Sequence, residues 1–595
     1  MSVSSAVTAG LLLVCFVAVG VAVVAVRDRW SRWWFELEDP RTIALLRIVL
    51  AGLLLINVVG LAPHFGLLFA ADGMFTGEAA GQAFGGGWTE RFSLLYLWDG
   101  PLAVRMVLGG FVVGAVCFLI GWHTRVAGVA TLVFYDTILC RNPVFWEGTD
   151  LLLRVFLVYL VCSRCGHAYS VDEWLRRRRG SDGSLRLVPA WPRRLMMVQG
   201  AVLLATTGLL KHDDAWLTGD AVHYALTYEH FVRFRVEAGL AALGEGVLAA
   251  LTWFARGAEV FFPLALAGVA GRWSTRRFSP LGGRRRGVVA VALAVFLISS
   301  TLVVAVTGAP RLLPVESAGV AAAAWAVVLG GTWWLLARRD ERAARVVLGR
   351  RVWVTAIALL MLGMWLLMNI GVFHPAMLAV LLVFFEGHEI AGALGRVWRR
   401  LGSAKPGPTA EGLAYGSITR RVGGVLLGWH LVAIGVAVLP GTPVTAPLRD
   451  RVGLLAGPWL GVTRTVQSWG MWSRPPHANV FLKVVLVDAD GDGWDLRTDL
   501  YAAELRPPGA IGYDRWWKIA ERLVKGTSDR PYREAYGRYV CGAWDGSAAA
   551  VSVELREVAV PIPSPAENRA AHGYDPDRVL AEQATERLVY SNACP

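Results

Sequence analysis

Long apolar runs, each close to the length of a bilayer crossing and divided by clusters of arginine, constrain this chain more than any other feature. The 595 residues are 55% hydrophobic and include 26 tryptophans, so a polytopic membrane protein is expected and soluble-domain length arithmetic does not apply. Candidate spans fall at 6–26, 43–62, 101–121, 126–140, 150–164, 195–210, 247–271, 287–307, 318–337, 352–372, 375–396 and 422–440. Those at 126–140 and 150–164 are short for a hydrocarbon core of roughly 30 Å, which predicts tilting or a re-entrant pair. The expected fold class is an all-α polytopic membrane bundle of about 10–12 transmembrane helices with a small C-terminal extracytoplasmic α+β domain. Residues 1–40 would form an anchor and an interfacial amphipathic helix, 41–440 the transmembrane domain and 441–595 the external domain.

Charge orients the set. The net charge of +13 does not indicate nucleic acid, because the arginines cluster between apolar runs. Arg27 to Arg32, Arg176 to Arg179, Arg276 to Arg286, Arg338 to Arg351 and Arg396 to Arg400 all alternate onto one side. Loops 63–100, 141–149, 211–236 and 308–317 lack such arginine clusters, which places them outside the cytoplasm, and the alternation of twelve spans places everything after 441 on the same side. The run Leu11 to Val26 lacks a basic segment on its N-terminal side and an obvious cleavage site, and reads as a retained anchor. Residues 401–411 read as a flexible linker. In the tail, Phe481 to Val487 and the segment from Asp495 read as two strands around an acidic turn. Residues 514–525 read as a helix and 549–560 as a further strand. Seven cysteines are too few for a disulfide scaffold, although Cys541 and Cys594 could pair in an oxidising compartment.

The segment Gly208-Leu-Leu-Lys211-His212-Asp213-Asp214-Ala-Trp216-Leu-Thr-Gly219-Asp220 is the most informative stretch. Leu195 to Leu210 carry no charge, so Lys211 emerges at an interface with its stem in apolar surroundings. An ammonium held there is destabilised and makes a usable base, whereas a lysine that only snorkels does nothing more. The following loop holds Trp216, His223, Tyr224, Tyr228, Glu229 and His230. A helix from Ala221 would put His223 and His230 on one face, beside a pocket of aromatic residues suited to a flat apolar ligand. Ionisable residues inside the spans are Arg47, Asp136, Asp150, Arg154, Arg256 and Glu259. Arg256 and Glu259, at i,i+3, can neutralise each other, and Asp150 and Arg154 can do the same at i,i+4.

Metal is not expected. Glu386-Gly-His388-Glu389 lacks the second histidine of a helical zinc site. Cys162-Ser-Arg-Cys165-Gly-His167 has its histidine one place too late for haem attachment and has no second cysteine pair. Asp488, Asp490, Asp492, Gly493 and Asp499 match a calcium-loop spacing, but strands flank it and a hairpin turn explains the acids.

The lysine segment resembles the G-x-x-K…W-x-x-G element of the vitamin K-dependent gamma-carboxylases and, more closely, of the horizontally transferred transmembrane (HTTM) domain proteins, their bacterial relatives. Three further elements agree in order: Arg141-Asn142-Pro143 to Asp150 with Ser170-Val-Asp172, Asn369 to Ala379, and Gln467 to Ser473. The resemblance covers roughly residues 38–500. It implies a multi-pass enzyme of the inner or plasma membrane that oxidises a lipid quinol, reduced vitamin K or menaquinol. Epoxidation would be coupled, in the full reaction, to carboxylation of a secreted peptide or protein. Lys211 would be the base, with His212, Asp213, Asp214 and His223 assisting it. Trp216, Tyr224, Asn142, Glu259 and His374 would face the quinol. Asn142-Pro143 stands where the eukaryotic enzymes have a histidine, and the external domain is shorter than theirs, which favours epoxidation over carboxylation. The competing expectation is a non-enzymatic HTTM protein serving binding, export or immunity.

Overall fold

Inside lipid the backbone must satisfy its own polar groups, so the apolar runs fold as helices. The computed structural model describes residues 3–84, 91–180, 184–313, 317–338, 341–397, 412–439, 445–467, 469–496, 515–525, 530–544 and 549–594. Within them, 8 helical segments are long and apolar enough to cross a membrane, or 9 if the pair Phe373–Phe384 and Gly387–Arg396 counts as one span. That pair is bent by 116°, so the continuous span expected at 375–396 is instead broken before Gly387. The expected span 352–372 also stops early, at Leu367, because Met368 turns extended. The shorter or more polar helices Thr124–Arg141, Gly148–Cys162 and Trp191–Leu210 complete the interior of the bundle. The linker 401–411 and Asp499 lie outside the described residues.

The N-terminal helix Val3–Ala25 packs on Gly283–Thr307, and the short helix Arg27–Phe35 follows it. Strand β1 (Leu37–Glu38) then pairs antiparallel with β2 (Val188–Pro189). This small ladder delivers Glu36 and Glu38 to Arg194 and Arg193 at the start of the Trp191–Leu210 helix. The arginine-bearing segments meet there, at one end of the bundle: Arg29 donates to Ser274 at 2.8 Å and Arg285 pairs with Asp28 at 3.3 Å.

The tail is a four-stranded antiparallel sheet ordered β4-β3-β5-β6, from β3 (Ala478–Asp488), β4 (Gly493–Asp495), β5 (Ala550–Pro561) and β6 (Thr585–Ala593). Strand β3 is buried along most of its length because both faces are covered. Leu482, Val484 and Leu486 join the main core with Ile519 and Leu523 of the helix Trp516–Val524, while Phe481 packs with Val558, Val560 and Tyr574. Asp488 accepts the backbone N–H groups of Asp490 and Asp492, which holds the acidic turn. Five described elements of the tail go beyond the sequence reading: Ala446–Val462, Arg530–Ala543, Pro565–Ala570, Pro576–Gln583 and β6. Ala446–Val462 packs on the preceding span Ser417–Ala437, and a Cys541–Cys594 disulfide ties the second helix to β6.

Buried charges join the tail to the bundle. Asp150 and Arg154 do not pair with each other. Arg515 binds Asp150 with two bonds, 2.8 and 3.0 Å, and donates to Asn57 at 2.6 Å. Arg154 turns to Asp136 at 3.5 Å, and Arg464 reaches the other oxygen of Asp136 at 3.1 Å. Residues at i,i+4 share a helix face but pair with each other only where neither meets a stronger partner, and here each has one from another segment. Replacing Arg515 with Ala leaves Asp150, fully buried, without a countercharge. The loss of stability expected is about 3–5 kcal/mol, read as a lowered melting temperature in detergent, and Asp150→Asn in the same chain should restore part of it.

Candidate active site

The helix Trp191–Leu210 is 20 residues long and so spans about 30 Å from its buried arginines, Arg193 and Arg194, to Lys211 at its C-terminal cap. Gly208 sits in its last turn, against Glu245–Phe261. A Cβ at Gly208 would stand 2.7 Å from the Val260 backbone nitrogen and 2.9 Å from Glu259 Cβ. Only glycine permits that approach. The consequence is chemical, because it brings Lys211 onto Glu259: Nζ lies 2.7 and 2.6 Å from the two carboxylate oxygens. Both side chains are buried, at 7% and 6% exposure.

The expected Arg256–Glu259 pairing is therefore corrected. Arg256 instead donates to the carbonyls of Arg311 and Leu312, leaving the carboxylate to Lys211. One turn of helix, Asp214–Thr218, then carries Trp216 back over the lysine, with Nζ 4.7 Å from the indole centroid. It ends at Gly219, whose φ of +102° suits glycine and whose Cα packs on Ala249. Thr252 donates to the Gly219 carbonyl at 2.8 Å. Both glycines of the G-x-x-K…W-x-x-G element thus hold the lysine turn against the neighbouring helix.

Trp216 donates from its indole to the carbonyl of Trp472 at 2.7 Å. Trp216, Tyr224 and Tyr228 share one apolar cluster, against which Phe231 and Trp472 pack half-buried. The other expected site residues are dispersed. Asp214 is exposed, while Asp213 and His212 are half-buried, and the carboxylate on Lys211 is Glu259 rather than either aspartate. His223 is buried against the tail and bonds Pro563 O at 2.9 Å through Nε2, which makes Nε2 the protonated nitrogen. Burial lowers its basicity. The helix Ala221–Leu226 ends before His230, so the two histidines do not share it; His230 bonds Val480 O and stacks on Trp517. Tyr224 lies against His477, with centroids 4.2 Å apart. Asn142 belongs to a separate cluster, bonded to the carbonyls of Leu68 and Phe75 and to Tyr532. His374 is buried with neither ring nitrogen hydrogen-bonded among the described residues.

Sequence reasoning followed charge and so passed over a chain of uncharged polar groups inside the bundle. The Trp459 indole donates to His430 Nδ1 at 3.0 Å, which leaves Nε2–H to donate to Tyr159 at 3.0 Å. Tyr159 donates to Gln199 at 3.3 Å, Gln199 to Gln467, and the Trp469 indole to Gln467 at 2.6 Å. The signal was present: His430 and Gln199 both interrupt apolar runs.

Residues 35–254 match the family model described as HTTM domain, a stretch that contains Lys211, Trp216 and Gly219 and ends just short of Glu259. No curated protein and no solved structure matches the chain.

Two predictions follow from this geometry. Lys211→Ala strands a buried carboxylate and should cost about 3–5 kcal/mol, whereas Lys211→Ala with Glu259→Ala should cost clearly less; thermal unfolding of the three chains measures the coupling. Glu229 lies outside the spans, at 3% exposure, with neither carboxyl oxygen hydrogen-bonded among the described residues. Burial, with Glu237 and Asp577 adding to it and Arg235 opposing, pushes its carboxyl up to about 7. The folded chain then keeps a proton that the unfolded chain releases near pH 4.5. Stability should fall as pH rises from about 5 to 8, by about 3 kcal/mol at most, and Glu229→Gln should remove that slope.

Proposed function

We propose that this chain is a vitamin K carboxylase-like membrane oxidoreductase that acts on a reduced naphthoquinone, with Lys211 and Glu259 as its acid–base pair. The observation that carries this reading is the Lys211–Glu259 pair itself, buried beneath the Trp216 indole at the end of the HTTM-matching segment. A buried ion pair is not by itself a stabilising device, since desolvation offsets the attraction, so its retention at a helix end asks for a role. A bound naphthoquinol supplies a phenolic proton and the electrons that dioxygen takes up. The pair is neutral overall and can hold its proton on either partner. When Glu259 holds it, Lys211 presents a neutral amine able to accept the phenolic proton. Once protonated, the ammonium offers N–H donors to the charge developing on that oxygen. The half-buried faces of Trp472 and Phe231, beside Trp216 and Tyr228, suit a flat bicyclic ring. Positive-inside charge bias supports a site on the extracytoplasmic side, where a secreted glutamate-bearing substrate would meet it.

One observation favours a second reading, a non-enzymatic scaffold for binding, export or immunity. Lys211 gives both of its hydrogen bonds to Glu259, as in a purely structural clamp. Epoxide formation separates the two. Purified wild type in nanodiscs, supplied with reduced vitamin K or menaquinol and dioxygen, should turn over, and Lys211→Ala and Glu259→Gln should each lose at least roughly 100-fold, within the range expected for a lost general base. Absence of epoxide with well-folded wild type would leave the scaffold reading standing.

A further inference from the structure

A cavity of about 850 Å³ opens at the arginine-rich end of the bundle, a full helix length from Lys211. Its wall includes eight arginines and four carboxylates, and three of the carboxylates are already engaged by arginines. Glu38 takes two bonds from Arg193, at 2.7 and 2.8 Å. Glu36 takes Arg194 and the Trp273 indole, with Arg277 at 3.8 Å. Asp39 takes Arg41, which lies outside the wall, and Glu386 faces His388 at 3.4 Å. Arg350 is held by Glu389, also outside it.

Four arginines remain. Arg272 donates only to the Leu348 carbonyl, at 3.2 Å, and Arg276, Arg345 and Arg351 have no carboxylate partner among the described residues. Arg272 and Arg276 are one turn apart on the same helix face, an arrangement that repels unless an anion lies between. Guanidinium forks match phosphate oxygens in geometry as well as charge. The rest of the wall is amphipathic. Trp33 and Trp273 meet edge to face at 5.0 Å with the Arg194 guanidinium over both, and Met197 and Val269 line the cavity too. Tryptophan, arginine and apolar side chains in one wall suit the level of lipid headgroups, and the volume suits a small-molecule ligand.

We propose that this cavity is a binding site for a multiply charged phosphate-bearing group, held by Arg272, Arg276, Arg345 and Arg351. A lipid headgroup and a soluble polyphosphate share that chemistry. Two probes distinguish them on the full-length chain in detergent: native mass spectrometry with phosphatidic acid against phosphatidylcholine, and calorimetric titration with inorganic pyrophosphate. The test variant is Arg276→Gln/Arg345→Gln/Arg351→Gln, three exposed positions whose loss leaves the internal ion pairs intact. The control, Arg284→Gln/Arg286→Gln/Arg342→Gln, removes equal charge from exposed arginines outside the wall. Wild type should retain phosphatidic acid, or bind pyrophosphate, at least ten-fold more tightly than the test variant, with the control unchanged. Retention of phosphatidic acid alone assigns a lipid, and pyrophosphate binding assigns a soluble ligand. Equal weakening in both triple variants, or neither probe separating wild type from the test variant, overturns the proposal.

Discussion

Charge taken out of water must find its opposite, and in this chain the opposites come from far along the sequence. Lys211 meets Glu259, Asp150 meets Arg515, and Arg193 and Arg194 meet Glu38 and Glu36. Each pair joins segments that the apolar effect alone would leave free to slide or rotate, because one lipid-like surface packs against another with little preference. An unpaired buried charge costs several kcal/mol. Registers that miss these pairings are therefore excluded, and the Trp191–Leu210 helix is held at both ends. Arg515 does the same for the tail, whose helix Trp516–Val524 starts at the residue after it.

Much of the architecture is legible in the sequence because hydropathy and charge act locally. Each expected span has helix within it, and the expected strands at 481–487 and 549–560 are β3 and β5. What failed depended on contacts. No periodicity shows that Arg256 will turn to backbone carbonyls, or that Arg515, beyond a long polar stretch, will neutralise Asp150. The kink before Gly387 was missed too, although Glu386, His388 and Glu389 interrupt the apolar run there. At the site, Lys211 and Trp216 stood out by type and place, whereas Trp472 reaches them from a segment more than 200 residues away, as its Trp216 contact shows. Gly208 was visible as part of a pattern, but its purpose, to let one helix backbone touch another beside a charge pair, is purely spatial.

The two ends of one helix thus present opposite chemistries. At the Lys211 end, a single charge pair is sealed under aromatic rings. At the Arg193 end, positive charge is in surplus around an open cavity. Between them runs the helix body, with Gln199 as its buried polar residue among the described bonds to other helices.

That residue belongs to a sequence of donors that runs from Trp459 to Gln199, which exchanges hydrogen bonds in both directions with Gln467. Trp459 can only donate, so His430 has one available tautomer, and the choice passes through Tyr159 and Gln199 in turn. Four helices, with Gln467 and Trp469, are therefore keyed together by direction as well as distance. Shifting any one helix by a residue would take a polar group away from its partner, in a medium with no water to replace it. These four helices are therefore the most constrained block of the bundle, whereas the helices Gly283–Thr307 and Ala318–Ala337 at its periphery hold few buried side chains.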